Sequence, residues 1–111
     1  MHRGRFAPSP TGSLHFGSLV AAVGSWLFAR ARSGRWIVRI EDLDHGREVP
    51  GATDAILRTL AAHGLESDEE VVRQSARTDA YEAALQRLAA AGHDYRSWCS
   101  RADLPAFAGI H

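Results

Sequence analysis

The chain has 111 residues, 45% hydrophobic and 23% charged, and its 13 basic and 13 acidic side chains cancel to a formal net charge of zero. That balance fits one ordinary globular domain and excludes a basic whole-chain field for nucleic acid. The single cysteine excludes an internal disulfide, and no run of about 18 apolar residues predicts a membrane-spanning helix.

Arg3 to Ala7 reads as a short first strand. Pro8, Pro10 and Gly12 then mark a turn, because proline fixes φ and glycine admits positive φ. From Ser18 to Arg32, Leu19, Val23, Trp26, Leu27 and Ala31 recur at helical spacing, and Ser33-Gly34 supplies a stop. Arg35 to Glu41 is β-branched and aromatic, the clearest strand in the chain. Strand, helix, strand in this order predicts a βαβ unit with parallel pairing and a right-handed crossover.

Asp42 to Pro50 is a polar loop. Pro50-Gly51 leads into a helix carrying Ile56, Leu57 and Leu60, which ends near His63-Gly64. Leu65 to Ala76 reads as irregular and acidic. A third helix is expected from Arg77 or Thr78 through Ala91, with Tyr81, Leu85 and Leu88 as its apolar stripe and Gly92 as its end. His93 to Cys99 reads as a last strand, and Ser100 to His111 as a loop or short helix. The expected architecture is a Rossmann-like, doubly wound parallel α/β sheet with ligands at the carboxyl ends of its strands. The segments Arg5–Gly17 and Glu41–Asp44 both follow strands, so they are expected on one sheet edge, over one crevice.

The turn after the first strand carries the chemistry. A loop that opens onto a helix N-terminus is a ready anion site, because unpaired N–H groups and the helix dipole point at it. Gly17 admits close approach to the backbone, His15 offers an imidazole donor, and Arg5 is a planar fork for carboxylate or phosphate.

Pro8-Ser9-Pro10-Thr11-Gly12-x-Leu14-His15-x-Gly17 resembles the first signature of class I aminoacyl-tRNA synthetases of the glutamyl group. His15-Phe16-Gly17-Ser18 stands where that class carries its His-x-Gly-His-type motif, with Ser last. Arg39-Ile40-Glu41-Asp42-Leu43-Asp44 extends the likeness. The resemblance implies ATP-dependent activation of L-glutamate to glutamyl-adenylate, with magnesium carried on ATP. It implies His15, Gly17 and Ser18 as catalytic residues, and Pro8, Ser9, His15, Gly17 and Ser18 as the ATP contacts. By the same resemblance, Arg5, Phe6, Ala7, Pro8, Ser9 and Glu41 bind L-glutamate: Arg5 and Ser9 line the pocket, Glu41 takes the ammonium, and Phe6, Ala7 and Pro8 form the wall between. Charge complementarity supports the first and last of these, and an Arg left unpaired would reject glutamine. Asp42 and Asp44 read as loop caps or as partners of Arg39 and Arg47.

Two branches of the group compete. One charges the 3′ end of tRNA(Glu); the shorter branch, the glutamyl-queuosine tRNA(Asp) synthetases, esterifies glutamate to queuosine in the anticodon loop of tRNA(Asp). His15-Phe16-Gly17-Ser18-Leu19-Val20-Ala21-Ala22 and Arg47-Glu48-Val49-Pro50-Gly51-Ala52 resemble the shorter branch. The single cysteine fits a reducing cytoplasm, and a monomer is expected; the resemblance makes residues 1–111 the first part of a catalytic domain, with residues 94–111 starting a zinc-binding insertion. Zinc takes four N, S or O ligands. Cys99 and His111 could be two, but Ser97 stands where the family often has Cys, so a buried Cys99 thiol and no metal is the favoured reading. The family's Lys-rich ATP loop, and the Tyr and Arg that complete its glutamate pocket, are not among these residues, and the chain alone is expected to have little activity. A nucleotide- or glutamate-binding module without catalysis is the reading from a different class.

Overall fold

The structure is a computed structural model that describes residues 1–100, 102 and 103. Its elements run β1 (Arg3–Phe6), α1 (Phe16–Arg30), β2 (Arg35–Ile40), α2 (Ala52–Ala62), β3 (Val72–Arg73) and α3 (Thr78–Ala90), with a 3-10 turn at Gln74–Arg77 before α3. Contacts divide the chain after Thr78 into two units.

In the first unit, β1 pairs parallel with β2, Arg3 opposite Arg35 through Phe6 opposite Val38. β2 pairs parallel with β3, giving the order β1-β2-β3. This is the predicted parallel βαβ pairing, in a Rossmann-like α/β fold. The pleat sorts the side chains: Trp36, Val38 and Ile40 are buried, while Arg35, Ile37 and Arg39 alternate with them on the other face. Phe6 stacks on Trp36, ring centroids 6.2 Å apart. The Trp36 indole N–H donates to Ser25 Oγ at 2.8 Å, satisfying the one polar atom of a fully buried ring.

α1 closes this face with Leu19, Ala22, Trp26 and Ala29. Val23 and Leu27, expected in the same stripe, lie instead on the exposed side of α1. The helix is apolar on two faces, and spacing alone merges them. α2 adds Ile56 and Leu60 to the same core, with Leu57 packed against it. Each such large side chain contributes about 1.5–3 kcal/mol on burial.

The stop after α1 works differently from expectation. The positive φ belongs to Ser33, at 49°. Gly34 is needed for space, because a Cβ there would stand 2.4 Å from the His2 carbonyl oxygen. That same carbonyl accepts from the Arg35 amide at 2.9 Å, so β1 and β2 begin in contact.

The stretch expected to be irregular, Leu65 to Ala76, is built into the sheet. The Asp68 carboxylate accepts from the Trp36 amide at 2.6 Å and takes both ends of the Arg30 guanidinium, and Ser67 Oγ accepts from the Val38 amide. Side chains thus satisfy the open edge of β2 until β3 takes over. The Arg30 hydrogen bond, then the Trp36 amide, hold the Asp68 carboxyl down at about 2. β3 is two residues long, too short for alternation to reveal it.

The second unit begins at Asp79 and contains the rest of α3. The His93 amide bonds back to the Leu88 carbonyl at 2.9 Å, and Gly92 has φ 72°, so the helix ends as expected. Leu85 and Leu88 are exposed rather than a buried stripe. The predicted strand over His93–Cys99 is absent: the segment has no regular structure, and Tyr95 and Trp98 are exposed. A strand-like composition makes a strand only where a ladder partner exists. Ser100–His111 falls largely outside the described residues. Among those that are described, no helix is long and apolar enough to cross a membrane.

Candidate functional site

The turn after β1 is stiffened by its sequence. Pro8 and Pro10 are buried, Gly12 takes φ 145°, and the Thr11 amide bonds to the Ser9 carbonyl at 2.9 Å. α1 begins at Phe16, two residues earlier than the periodicity suggests, because His15 is its N-cap. The His15 Nδ1 accepts from the Ser18 amide at 3.2 Å. With Nδ1 as acceptor, the neutral ring carries its proton on Nε2, 3.0 Å from Ser18 Oγ, to which it donates. The imidazole also explains Gly17. A Cβ at residue 17 would stand 3.1 Å from the ring's Cε1, so the group that approaches this glycine is His15 itself.

A cavity of about 310 Å³ opens here, lined by Phe6, Ala7, Pro8 and Ser9 on the strand side and by Leu14, His15, Ser18 and Ala21 on the helix side. Six of the residues implied by the resemblance, Phe6, Ala7, Pro8, Ser9, His15 and Ser18, are thus brought together.

The loop after β2 lies on the same sheet edge. The Glu41 amide donates to the Pro8 carbonyl at 2.9 Å and the Val49 amide to the Pro10 carbonyl at 3.0 Å. A second cavity opens beside this loop. It measures about 460 Å³ and is lined by Asp42, His45, Glu48, Thr53, Asp54 and Arg73, among others. Arg5, Gly17 and Glu41 line neither. Arg5 pairs in register with Ile37, which puts it on the sheet face away from the core. Glu41 accepts from Arg39, its neighbour two residues back on that same face.

The acidic loop residues are committed elsewhere. Asp42, 7% exposed, accepts from both the amide and the hydroxyl of Ser75, at 2.8 and 2.6 Å. Burial pushes its carboxyl up, but the Ser75 hydrogen bonds and the nearby Arg73 outweigh this and leave it below the ordinary value. Asp42 is therefore not a partner of Arg39. Asp44 does pair with Arg47, at 2.6 Å. Ser75 is the residue sequence reasoning missed; no local pattern links it to a carboxylate 33 positions away.

Of the two zinc-ligand candidates, only Cys99 lies among the described residues. Cys99 is exposed rather than buried. No three His, Cys, Asp or Glu side chains converge among the described residues. His111 lies outside them.

The family model for the catalytic domain of class I tRNA synthetases (E and Q) matches residues 2–107. The chain belongs to this family. It is 61% identical over 108 residues to a glutamyl-Q tRNA(Asp) synthetase of Xanthomonas axonopodis pv. citri, covering 97% of this chain and 36% of that protein. A protein of the same name from Shewanella oneidensis is 59% identical over the same length, again covering 97% and 36%. The chain thus spans about a third of the length of the curated relatives it matches. Among solved structures of this synthetase family, a glutamate tRNA ligase of Elizabethkingia meningosepticum in complex with its amino acid aligns with TM-score 0.78 and 36% identity, over 95% of this chain and 22% of that one. A glutamate-tRNA synthetase of Elizabethkingia anophelis aligns with TM-score 0.79, also at 36% identity, over 95% and 23%.

Proposed function

We propose that this chain supplies the nucleotide-gripping turn and part of the amino-acid pocket of an enzyme that activates L-glutamate with ATP and passes the glutamyl group to queuosine of tRNA(Asp). The observation that carries the reading is the cavity at the end of β1, walled by Ser9, His15 and Ser18. The 61% identity to a glutamyl-Q tRNA(Asp) synthetase favours queuosine over the 3′ end of tRNA(Glu) as acceptor.

In this reaction the glutamate α-carboxylate attacks the α-phosphorus of ATP and pyrophosphate leaves. Catalysis is then positioning and stabilisation of charge on phosphate oxygens. His15 Nε2–H, which donates to Ser18 Oγ, donates instead to a phosphate oxygen that displaces the Ser18 hydroxyl. Its Nδ1 keeps the cap on the Ser18 amide, so binding need not unwind α1. Magnesium arrives with ATP as part of that substrate. Arg5 takes the side-chain carboxylate of glutamate and Glu41 its ammonium, with Arg39 holding one Glu41 oxygen in place.

The test joins residues 1–111 to the part of the Xanthomonas axonopodis relative that lies outside the match, and measures glutamate-dependent ATP–pyrophosphate exchange. Exchange without tRNA, followed by glutamylation of tRNA(Asp), is expected. Exchange that requires tRNA(Glu) would move the assignment to the other branch. His15→Ala is expected to slow exchange about 100-fold. Arg5→Ala is expected to raise the glutamate requirement while leaving that for ATP unchanged.

A further inference from the structure

The central strand keeps its neighbours past the end of its ladder. Ile40 stands opposite Arg73, where the β2–β3 register stops. Asp42 and Ser75 follow, each two places further along its own segment, and there a side chain continues the pairing. The Ser75 amide and hydroxyl donate to the two Asp42 carboxylate oxygens, at 2.8 and 2.6 Å. On the opposite side, the Glu41 amide donates to the carbonyl of Pro8, beyond the end of β1 at Phe6. Glu41 therefore sits on an extension of β2 that is tied to β1's side directly and to β3's side through Asp42.

We infer that Ser75 is a positioning residue for glutamate recognition: through Asp42 it fixes the backbone from which Glu41 presents its carboxylate to the substrate's ammonium. This rests on the proposed reaction, in which Glu41 takes that ammonium. Adjacency is the first argument. The peptide unit joining Glu41 to Asp42 is planar and stiff, so a shift of Asp42 is passed to the Glu41 Cα. The second is the lack of a nearer anchor. Beyond Asp42 the pairs Asp44–Arg47 and His45–Glu48 stay within the loop. The next bond from the loop to another segment is the Val49 amide to the Pro10 carbonyl. The third is the division of labour around Glu41. Arg39 holds one oxygen of its carboxylate, and Pro8 holds its amide. The C-terminal side of the residue is left to the Ser75 clamp. Asp42 is 7% exposed, so its charge depends on the donors it finds there. Arg73 lies within reach of that charge and lines the second cavity beside it. Without the Ser75 hydroxyl, the carboxylate turns toward Arg73 and draws residue 41 with it.

The experiment measures ATP–pyrophosphate exchange by residues 1–111 joined to the remainder of the Xanthomonas axonopodis relative, as the parent sequence, Ser75→Ala and Ser75→Thr. Ser75 is exposed, so neither change opens the core. Ser75→Ala is expected to raise the KM for glutamate about fivefold, with kcat and the KM for ATP within about twofold of the parent. Ser75→Thr, which keeps both the hydroxyl and the amide, is expected to restore the parent KM. Glutarate has the two carboxylates of glutamate and no ammonium, and it is expected to inhibit the parent and Ser75→Ala equally. In the 111-residue chain, amide hydrogen exchange in Ser75→Ala is expected to quicken at Glu41 and to stay level at Ser18, whose bond to His15 lies outside this clamp. The inference is overturned by an unchanged glutamate KM in Ser75→Ala, by an equal loss of glutarate inhibition, or by unchanged exchange at Glu41. A parent protein without glutamate-dependent exchange would instead remove the proposed reaction. The amide-exchange measurement needs no turnover and would still decide whether Ser75 holds Glu41.

Discussion

The two loops at the carboxyl edge of the sheet are built on opposite plans. The turn after β1 lends its Pro8 and Pro10 carbonyls to the other loop, but its approach to α1 is closed by contacts within a few residues: Thr11 to Ser9, and Ser18 to His15. The loop after β2 is held by distant partners: Asp42 to Ser75, Glu41 to Pro8, Val49 to Pro10. Local closure leaves Ser9 and His15 exposed beside a cavity, available to a ligand. Distant closure uses up the Asp42 carboxylate, which becomes a fastener between β2 and the turn after β3. A carboxylate that joins two elements is a poor candidate for chemistry, however suggestive its place beside Glu41.

The contrast can be broken by substitution, beginning with the largest expected effect. Asp42→Ala removes a buried acceptor that takes two hydrogen bonds from Ser75, a residue itself exposed. It is expected to cost about 3 kcal/mol of unfolding free energy in urea titrations. A loss no greater than that of an exposed substitution would show that the loop after β2 is also closed locally.

Asp68 is the next fastener, and pH reads it. Its folded carboxyl, at about 2, lies below the ordinary 3.8. A depressed carboxyl stabilises the fold above its ordinary value, and that contribution is lost as pH falls through the ordinary value toward the folded one. Urea midpoints measured between about pH 5 and pH 2 are therefore expected to fall in the parent chain. The fall should be shallower in Asp68→Asn.

His15→Ala removes a local cap and is expected to cost about 1 kcal/mol. Loss of amide-exchange protection should be confined to the first turn of α1. Spread of that loss into β2 would contradict local closure. Asp44→Ala breaks an exposed pair with Arg47 and is expected to change stability by less than about 0.5 kcal/mol.

Much of this architecture was legible in the chain. Alternation in Arg35–Ile40 announced β2, and the order strand, helix, strand announced its parallel partner β1. Pro8, Pro10 and Gly12 announced the turn. Ile56 and Leu60 announced the buried face of α2. The failures share a cause. β3 is too short to show a period, and His93–Cys99 has a strand's composition without a strand's neighbour. Val23 and Leu27 satisfy the helical repeat, yet face away from the core that the repeat was taken to indicate. In each case a pattern along the chain was asked to report on a contact across space.

By itself, then, the sequence determined the first two strands, the three helices and the turn that presents an imidazole to a helix start. Only the tertiary structure decided which polar groups are spoken for, and that a side chain at residue 34 would collide with the His2 carbonyl. Hydrogen bonds and close contacts between residues far apart in the chain leave no periodic trace in it, because they depend on where the sheet brings those residues and not on their spacing.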